Sequence, residues 1–149
     1  MSLAYPCHAI LLAAHCALLE PSPTPDPQLE GFEHRQDITI PFPAAFDVIR
    51  EFIYTHSSRA LMSRLLSIDS GAWSHIVQET EQWEHAAAAF ARMGVEEITK
   101  RWGKLYEVYE DASSIGLVDD KFWHSIQIAS WILARGLNIW REGLAPEAT

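Results

Sequence analysis

The chain has 149 residues, of which 48% are hydrophobic, so it has enough apolar side chains for one sizeable core. Its 20 acidic residues outnumber its 11 lysines and arginines, and the net charge of -9 repels a phosphate backbone, which argues against direct nucleic-acid binding. Two cysteines are too few for the disulfide framework of a small secreted protein. No apolar run is long enough for a transmembrane helix. We therefore expect an intracellular domain, in the cytoplasm or the nucleus, without a membrane partner.

The first predicted element is an apolar helix over Ala9–Glu20, which Pro21 ends. No basic segment precedes this run, so a signal peptide is not expected. In the sequence that follows, every second residue from Pro21 to Pro27 is a proline and lacks the N–H that a helix interior or a central strand requires. We predict an exposed, poorly ordered spacer over Pro21–Gln28.

A short half-buried strand is predicted over Asp37–Ile40, where polar and apolar residues alternate. A helix follows, with Pro43 just inside its start. Its apolar residues recur at helical spacing at Phe46, Ile49 and Ile53. Another short helix is predicted over Ala60–Leu66.

The rest of the chain is helical in pattern, and its three apolar stripes are separated at Gly94 and near Asp119. Asp119 is the predicted N-cap of the last helix. The first stripe carries Trp73, Ile76, Thr80, Trp83, Ala87 and Phe90. The second carries Val95, Ile98, Trp102, Leu105 and Tyr109, and the third Phe122, Ile126, Ala129, Leu133, Leu137 and Trp140. The predicted core residues on the helices are Phe46, Ile49, Ile53, Trp102 and Leu133.

No cofactor or metal site is expected. Cys7–His8 and His15–Cys16 contain the usual zinc ligands, but two turns of one helix separate the two pairs, so four ligands could not converge on one ion. The helical pairs His75–Glu79 and Glu81–His85 are predicted to lie on the surface. No phosphate loop, nucleophile elbow or His-Glu-x-x-His motif is present in the sequence, so an enzyme is not the expected class.

Six tryptophans are a high count for this length, and most of them fall on the apolar stripes. Trp123 and Trp131 lie off the stripe of the last helix and widen its apolar face. An exposed aromatic patch would suit contact with a partner. The alternative is a helical enzyme or ligand-binding protein with a pocket lined by tryptophans.

The order of the N-terminal elements resembles the BTB/POZ pattern over residues 8–66. In that family the first conserved helix begins with a His and a Leu, and the segment from His8 to Cys16 is similar to it. Asp37–Ile40 matches the short strand that follows. Phe46–Thr55 matches the next helix, which a Phe leads and which ends in Tyr-Thr. Within that family, the segments over residues 40–43 and 115–123 are similar to fungal clampless-type developmental regulators.

The resemblance implies an α+β fold that is predominantly α-helical, with a BTB/POZ-like helical cluster and a small sheet remnant. A single BTB/POZ-like domain is expected over residues 1–143, with a core over 8–66, a helical extension over 72–142 and a tail over 144–149. Only seven residues precede His8, so the family's first strand and dimer-forming segment are expected to be missing. The missing segment argues against homodimerisation in the family's manner, although a homodimer stays an open alternative. A missing strand would also leave an exposed sheet edge.

The sequence therefore predicts a non-catalytic protein–protein interaction module, with a role in fungal developmental or transcriptional regulation implied by the resemblance. Its partner is another protein, whose identity no residue reveals. Two surfaces are alternative candidates for the binding site. One is the strand edge at Ile38, Thr39 and Ile40, to which a partner strand could be added. The other is the face that bears Trp123 and Trp131.

Overall fold

The computed structural model of the chain describes residues 15–18, 39–68 and 80–143. These ranges contain five helices. They are α1 (Phe46–Thr55), α2 (Ser58–Leu66), α3 (Thr80–Met93), α4 (Val95–Ser114) and α5 (Asp120–Arg141). The described part is thus predominantly helical, as the sequence predicts. Its only β-type pairing is a single antiparallel bridge between Cys16 and Leu117.

Residues 16–18 correct the prediction of a helix that continues to Glu20. The N–H of Ala17 donates to the carbonyl of Gly116 at 2.8 Å, and the N–H of Val118 donates to the carbonyl of His15 at 2.9 Å. These backbone groups are therefore bonded to the α4–α5 turn instead of to a preceding helical turn. Periodicity could not reveal this, because the bonding partners lie far away in the sequence.

Several predictions fall outside the described residues. They are the proline-rich spacer over Pro21–Gln28, the stripe residues Trp73 and Ile76, the pair His75–Glu79, and the tail over 144–149. Of the predicted strand Asp37–Ile40, the structure describes only Thr39 and Ile40, and neither belongs to a strand.

Helices α1 and α2 form a short antiparallel pair. Helix α1 begins at Phe46, after a turn that contains Pro43, and so starts later than predicted. It ends where His56 adopts the left-handed conformation with φ of 46°. Ser57 then caps α2, because its hydroxyl accepts the N–H of Ala60 at 3.1 Å.

The boundaries of the last three helices follow the predicted signals. Gly94, with φ of 93°, separates α3 from α4 in a conformation that side chains with a Cβ rarely adopt. Asp119 caps α5 by accepting the N–H of Phe122 at 3.1 Å, which confirms the predicted N-cap.

Helices α3 and α5 run parallel and cross closely. Three contacts advance in the same direction along both helices: the rings of Trp83 and Trp131, the ion pair of Glu84 and Arg135, and the packing of Gly136 on Ala87. A Cβ added at Gly136 would lie 3.0 Å from the carbonyl oxygen of Ala87. The crossing therefore depends on the absence of a side chain at Gly136.

The buried apolar residues of all five helices belong to one core cluster. Four of the predicted core residues, Phe46, Ile49, Ile53 and Leu133, are buried, which confirms their assignment. Trp102 is only partly buried and packs against the core, so its assignment as a core residue holds only in part. The buried face of α4 is centred on Ile98, Leu105, Val108 and Ala112, and Trp102 lies to one side of it.

None of the helices in the described ranges is long and apolar enough to cross a membrane.

Candidate functional site

The two tryptophans predicted to share a partner-binding face contact different helices. Trp123 packs edge-on against Tyr109 of α4, with ring centroids 5.7 Å apart. Trp131 lies beside Trp83 of α3, with centroids 5.8 Å apart and the rings tilted by 59°. Along α5 the two residues are roughly 12 Å apart at 1.5 Å per residue. They are therefore best treated as parts of two separate surfaces.

Trp123 is half-buried and held by several contacts. Its indole N–H donates to the carbonyl of Leu117 at 2.7 Å, and its ring meets that of Phe122 at 5.2 Å. A buried indole N–H that finds a partner is the expected arrangement for a structural tryptophan. Trp123 therefore supports the neighbouring Tyr109 more than it offers a free surface of its own.

Trp131 is the more accessible of the two. Its side chain is 38% exposed, although it packs on Trp83. Glu84 follows Trp83 in the sequence and Arg135 lies one turn after Trp131, and these two residues form an ion pair with 3.1 Å between Oε2 and Nε. An exposed aromatic pair with charged residues at its edge has the composition of a contact surface. We call Trp83 and Trp131 the tryptophan pair.

The predicted strand edge is only partly described. Ile38 lies outside the described residues, Thr39 is exposed, and Ile40 is half-buried against the core. The chain immediately after them is anchored to α4, because the N–H of Phe42 donates to Oδ1 of Asp111 at 2.7 Å. This long-range hydrogen bond fixes the position of the segment that contains Thr39 and Ile40.

Asp111 is a buried carboxyl whose second oxygen, Oδ2, has no hydrogen-bond partner among the described residues. Burial raises the pKa of Asp111, the hydrogen bond from the Phe42 N–H lowers it, and the nearby Glu107 carboxylate raises it, with a net upward shift. The sequence did not single out Asp111. The sequence offered one signal for it. Asp111 lies one turn after Val108 among the buried residues of α4, and a carboxylate among apolar residues requires a hydrogen-bond partner.

A second polar connection to α4 is made by Arg101. Its Nε donates to the carbonyl of Leu66 at the end of α2, at 2.8 Å, and its guanidinium also pairs with Glu97. The Arg101 partner holds the pKa of Glu97 below its ordinary value. Arg101 also lies over the ring of Phe90, 5.1 Å from its centroid. Asp111 and Arg101 therefore connect α4 to the N-terminal part of the fold.

An open groove runs along the outer side of α1. It is lined by Asp47, Arg50, Glu51, Tyr54 and Thr55. Ion pairs of Asp47 with Arg50 and with Arg64 of α2 lie along it. Its lining contains no tryptophan, so this groove is not the tryptophan-lined pocket that the alternative interpretation of the sequence requires.

Histidine and carboxylate side chains meet where α1 ends and α5 begins. His56 Nδ1 is 3.4 Å from a carboxylate oxygen of Asp119, and the rings of His56 and His15 are 4.8 Å apart. Within the described ranges, no group of three or more His, Cys, Asp or Glu residues is arranged to hold a metal ion. The predicted surface position of Glu81 and His85 is confirmed, since both are exposed. His85 Nδ1 lies 2.8 Å from the Glu81 carbonyl, within hydrogen-bonding distance of the main chain.

No family model, curated protein or solved structure matches this chain. The residues themselves therefore carry any functional conclusion.

Proposed function

We propose that this chain is a non-catalytic protein–protein interaction module that binds its partner through the tryptophan pair. The observation that carries the proposal is the 38% exposure of Trp131 beside Trp83 on the outside of the α3–α5 crossing. Tryptophan is among the commonest energetic centres of interfaces, because one side chain buries a large apolar area with few rotatable bonds. The Glu84–Arg135 ion pair would form part of the polar rim of such an interface.

The resemblance of residues 8–66 to the BTB/POZ pattern supports the same class of function. Helices α1 and α2 lie within that stretch, and α1 ends at Tyr54-Thr55 as the pattern requires. As part of the proposal, the chain contains a BTB/POZ-like domain with a small sheet remnant. It would act in fungal developmental or transcriptional regulation, in the cytoplasm or the nucleus.

The test is affinity capture from native cells, followed by binding measurements with the purified captured protein. Trp131→Ser should weaken binding by at least about tenfold, the effect of losing a typical interface centre. Trp140→Ser is the matched control, because Trp140 is 42% exposed on the same helix but points away from Trp131. It should leave the affinity unchanged. Circular dichroism establishes that both variants are folded.

Two outcomes would contradict the proposal. If Trp131→Ser and Trp140→Ser bind equally well, the tryptophan pair is not the contact surface, and Thr39→Pro then tests the strand edge at Ile38–Ile40. If the native protein instead carries a stoichiometric metal or bound small molecule and captures no partner, the chain is an enzyme or a ligand-binding protein.

A further inference from the structure

Two tyrosines are exposed among acidic residues on the solvent-facing side of α4. At helical spacing around Tyr106, this side carries Val95, Thr99, Gly103, Glu110 and Ser113, and the carboxylates of Glu96 and Glu107 lie beside this row. Tyr106 is 55% exposed, and Tyr109, one turn further, is 45% exposed. Exposed aromatic side chains bordered by charged residues have the composition of a contact surface.

The exposed tyrosines are supported from both sides. Phe42 packs edge-on against Tyr106, with ring centroids 6.1 Å apart, and Trp123 packs against Tyr109. The Phe42 N–H donates to Oδ1 of Asp111, and the Trp123 indole N–H donates to the Leu117 carbonyl, so both supports are fixed in position. The four rings of Phe42, Tyr106, Tyr109 and Trp123, which we call the α4 aromatic surface, are thus held in place before any partner binds, which reduces the entropic cost of binding.

Gly103 leaves space next to Tyr106. A Cβ placed at Gly103 would meet nothing within 4 Å, so no close approach inside the described fold requires glycine there. Glycine in the middle of a helix is nevertheless destabilising. Helical side chains lean towards the preceding turn, so a side chain at Gly103 would lie under the ring of Tyr106. Its absence keeps a face of that ring open.

Two cations of α4 lie on its α2 side. Arg101 donates to Leu66 of α2, and Lys104 is close enough to Arg64 and Arg101 that burial and these two guanidinium groups lower its pKa. The charged groups next to Tyr106 and Tyr109 in the sequence are instead the carboxylates of Glu107 and Glu110. The chain as a whole carries a net charge of -9, which attracts a cationic partner before contact.

We infer that the α4 aromatic surface binds an arginine-bearing segment of another protein, at a site separate from the tryptophan pair. A guanidinium group can stack on the open faces of the two tyrosines, and the Glu110 carboxylate can accept its hydrogen bonds. Arginine is favoured over lysine because its planar, weakly hydrated group both stacks and donates in a fixed geometry. The inference depends on the rings and charges of α4, not on the proposed role of Trp131.

The experiment measures binding of labelled peptides to the full chain by fluorescence anisotropy. The peptides are Gly-Ser sequences with spaced arginines, and matched peptides carry lysine or glutamate at the same positions. The arginine peptide should bind several-fold more tightly than the lysine peptide, and the glutamate peptide should not bind. Replacing both Tyr106 and Tyr109 by Ser should weaken arginine-peptide binding by about fivefold to tenfold and abolish the preference for arginine. Replacing both by Phe should preserve it, because the rings remain.

Two further variants separate a lost site from a damaged fold. Gly103→Gln covers the open ring face while improving helix propensity, so it should weaken peptide binding and raise thermal stability. Glu110→Gln should weaken binding more than the charge-matched control Glu96→Gln, which lies on an earlier turn of the same helix.

Three results would overturn the inference. The first is equal binding of the arginine and lysine peptides, or binding that survives replacement of both tyrosines by serine. Attraction by net charge alone would explain either outcome. Another is concentration-dependent self-association that the Ser variants abolish, because the occupant would then be a second copy of the chain. The third is no binding of the arginine peptide at low ionic strength. Trp131→Ser should not change peptide binding, so the two proposals fail independently.

Discussion

The crossing of α3 with α5 and the attachment of α1 and α2 to α4 are stabilised in different ways. At the crossing, Gly136 lets the two helices approach until the Ala87 carbonyl leaves no room for a Cβ. The attachment instead uses long-range polar bonds from α4, one from Asp111 to the Phe42 N–H and one from Arg101 to the Leu66 carbonyl. The first region is therefore sensitive to added volume, and the second to the loss of a polar partner.

The largest effect is expected at Phe122, which packs α5 against α1. Phe122 is fully buried on α5, and its ring meets that of Phe52 on α1 at 5.4 Å. Phe122→Ala should lower the free energy of unfolding by about 3–5 kcal/mol in urea titration, because a cavity remains. Val118→Ala, at an exposed position in the preceding turn, is the control and should change it by less than about 0.5 kcal/mol. A loss below about 1 kcal/mol for Phe122→Ala would mean that the packing of α1 on α5 contributes little to stability.

The crossing should fail when volume is added. Gly136→Leu should cost about 1–3 kcal/mol or more, since the new side chain meets the Ala87 backbone and the Cβ of Phe90, whose positions are 3.0 and 3.3 Å from the added Cβ. Gly103→Leu on α4 is the matched control because a Cβ at that position meets nothing within 4 Å. Equal thermal stability of the two variants would show that the space between α3 and α5 at Gly136 can accommodate a leucine side chain.

The polar attachment should respond to loss of the Asp111 acceptor. Asp111→Ala leaves the Phe42 N–H without its acceptor and should cost about 1–3 kcal/mol. Asp111→Asn keeps an acceptor oxygen and should cost less. If both variants are equally unstable, the carboxylate charge and not the hydrogen bond is what matters.

The pH dependence of the Asp111→Asn variant sharpens this test. Because the folded-state pKa of Asp111 is raised, the folded chain binds the proton more tightly than the unfolded chain. The free energy of unfolding of the native protein therefore falls as pH rises from the unfolded to the folded pKa. Asp111→Asn lacks this titration, so its stability relative to the native protein should increase as pH is raised from about 4 to 7. A constant difference across this range would contradict the raised pKa.

The smallest expected effect is a gain in stability outside both regions. Gly103→Ala on the open side of α4 should raise the free energy of unfolding by about 0.5–1 kcal/mol, as expected for an exposed helical glycine that nothing requires. A loss of stability would mean that another part of the chain packs on this side of α4.

Sequence reasoning located the helices because their signals are local. The break at Gly94 and the cap at Asp119 depend on backbone conformation and on a hydrogen bond within one turn, and both are visible in the residue types. The stripe on α4 was less accurate, since Val95 and Tyr109 are exposed although they lie on the predicted apolar stripe. Spacing identifies residues that can share a face, but it does not say how wide the contact with other helices is.

The sequence by itself determined a predominantly helical chain, most of its core residues, and a choice of aromatic candidates for partner contact. Only the tertiary structure decided that Trp123 packs with Tyr109 while Trp131 packs with Trp83, because both contacts join residues from different helices. Likewise, the bond from Phe42 to Asp111 and the bridge from Cys16 to Leu117 connect distant positions that no periodic pattern relates. The exposure of a residue and its long-range contacts arise only when the helices pack together. They depend on the angle and the distance at which two helices cross. The side chains at the contact set both, and at Gly136 it is the absence of a side chain that permits the close approach.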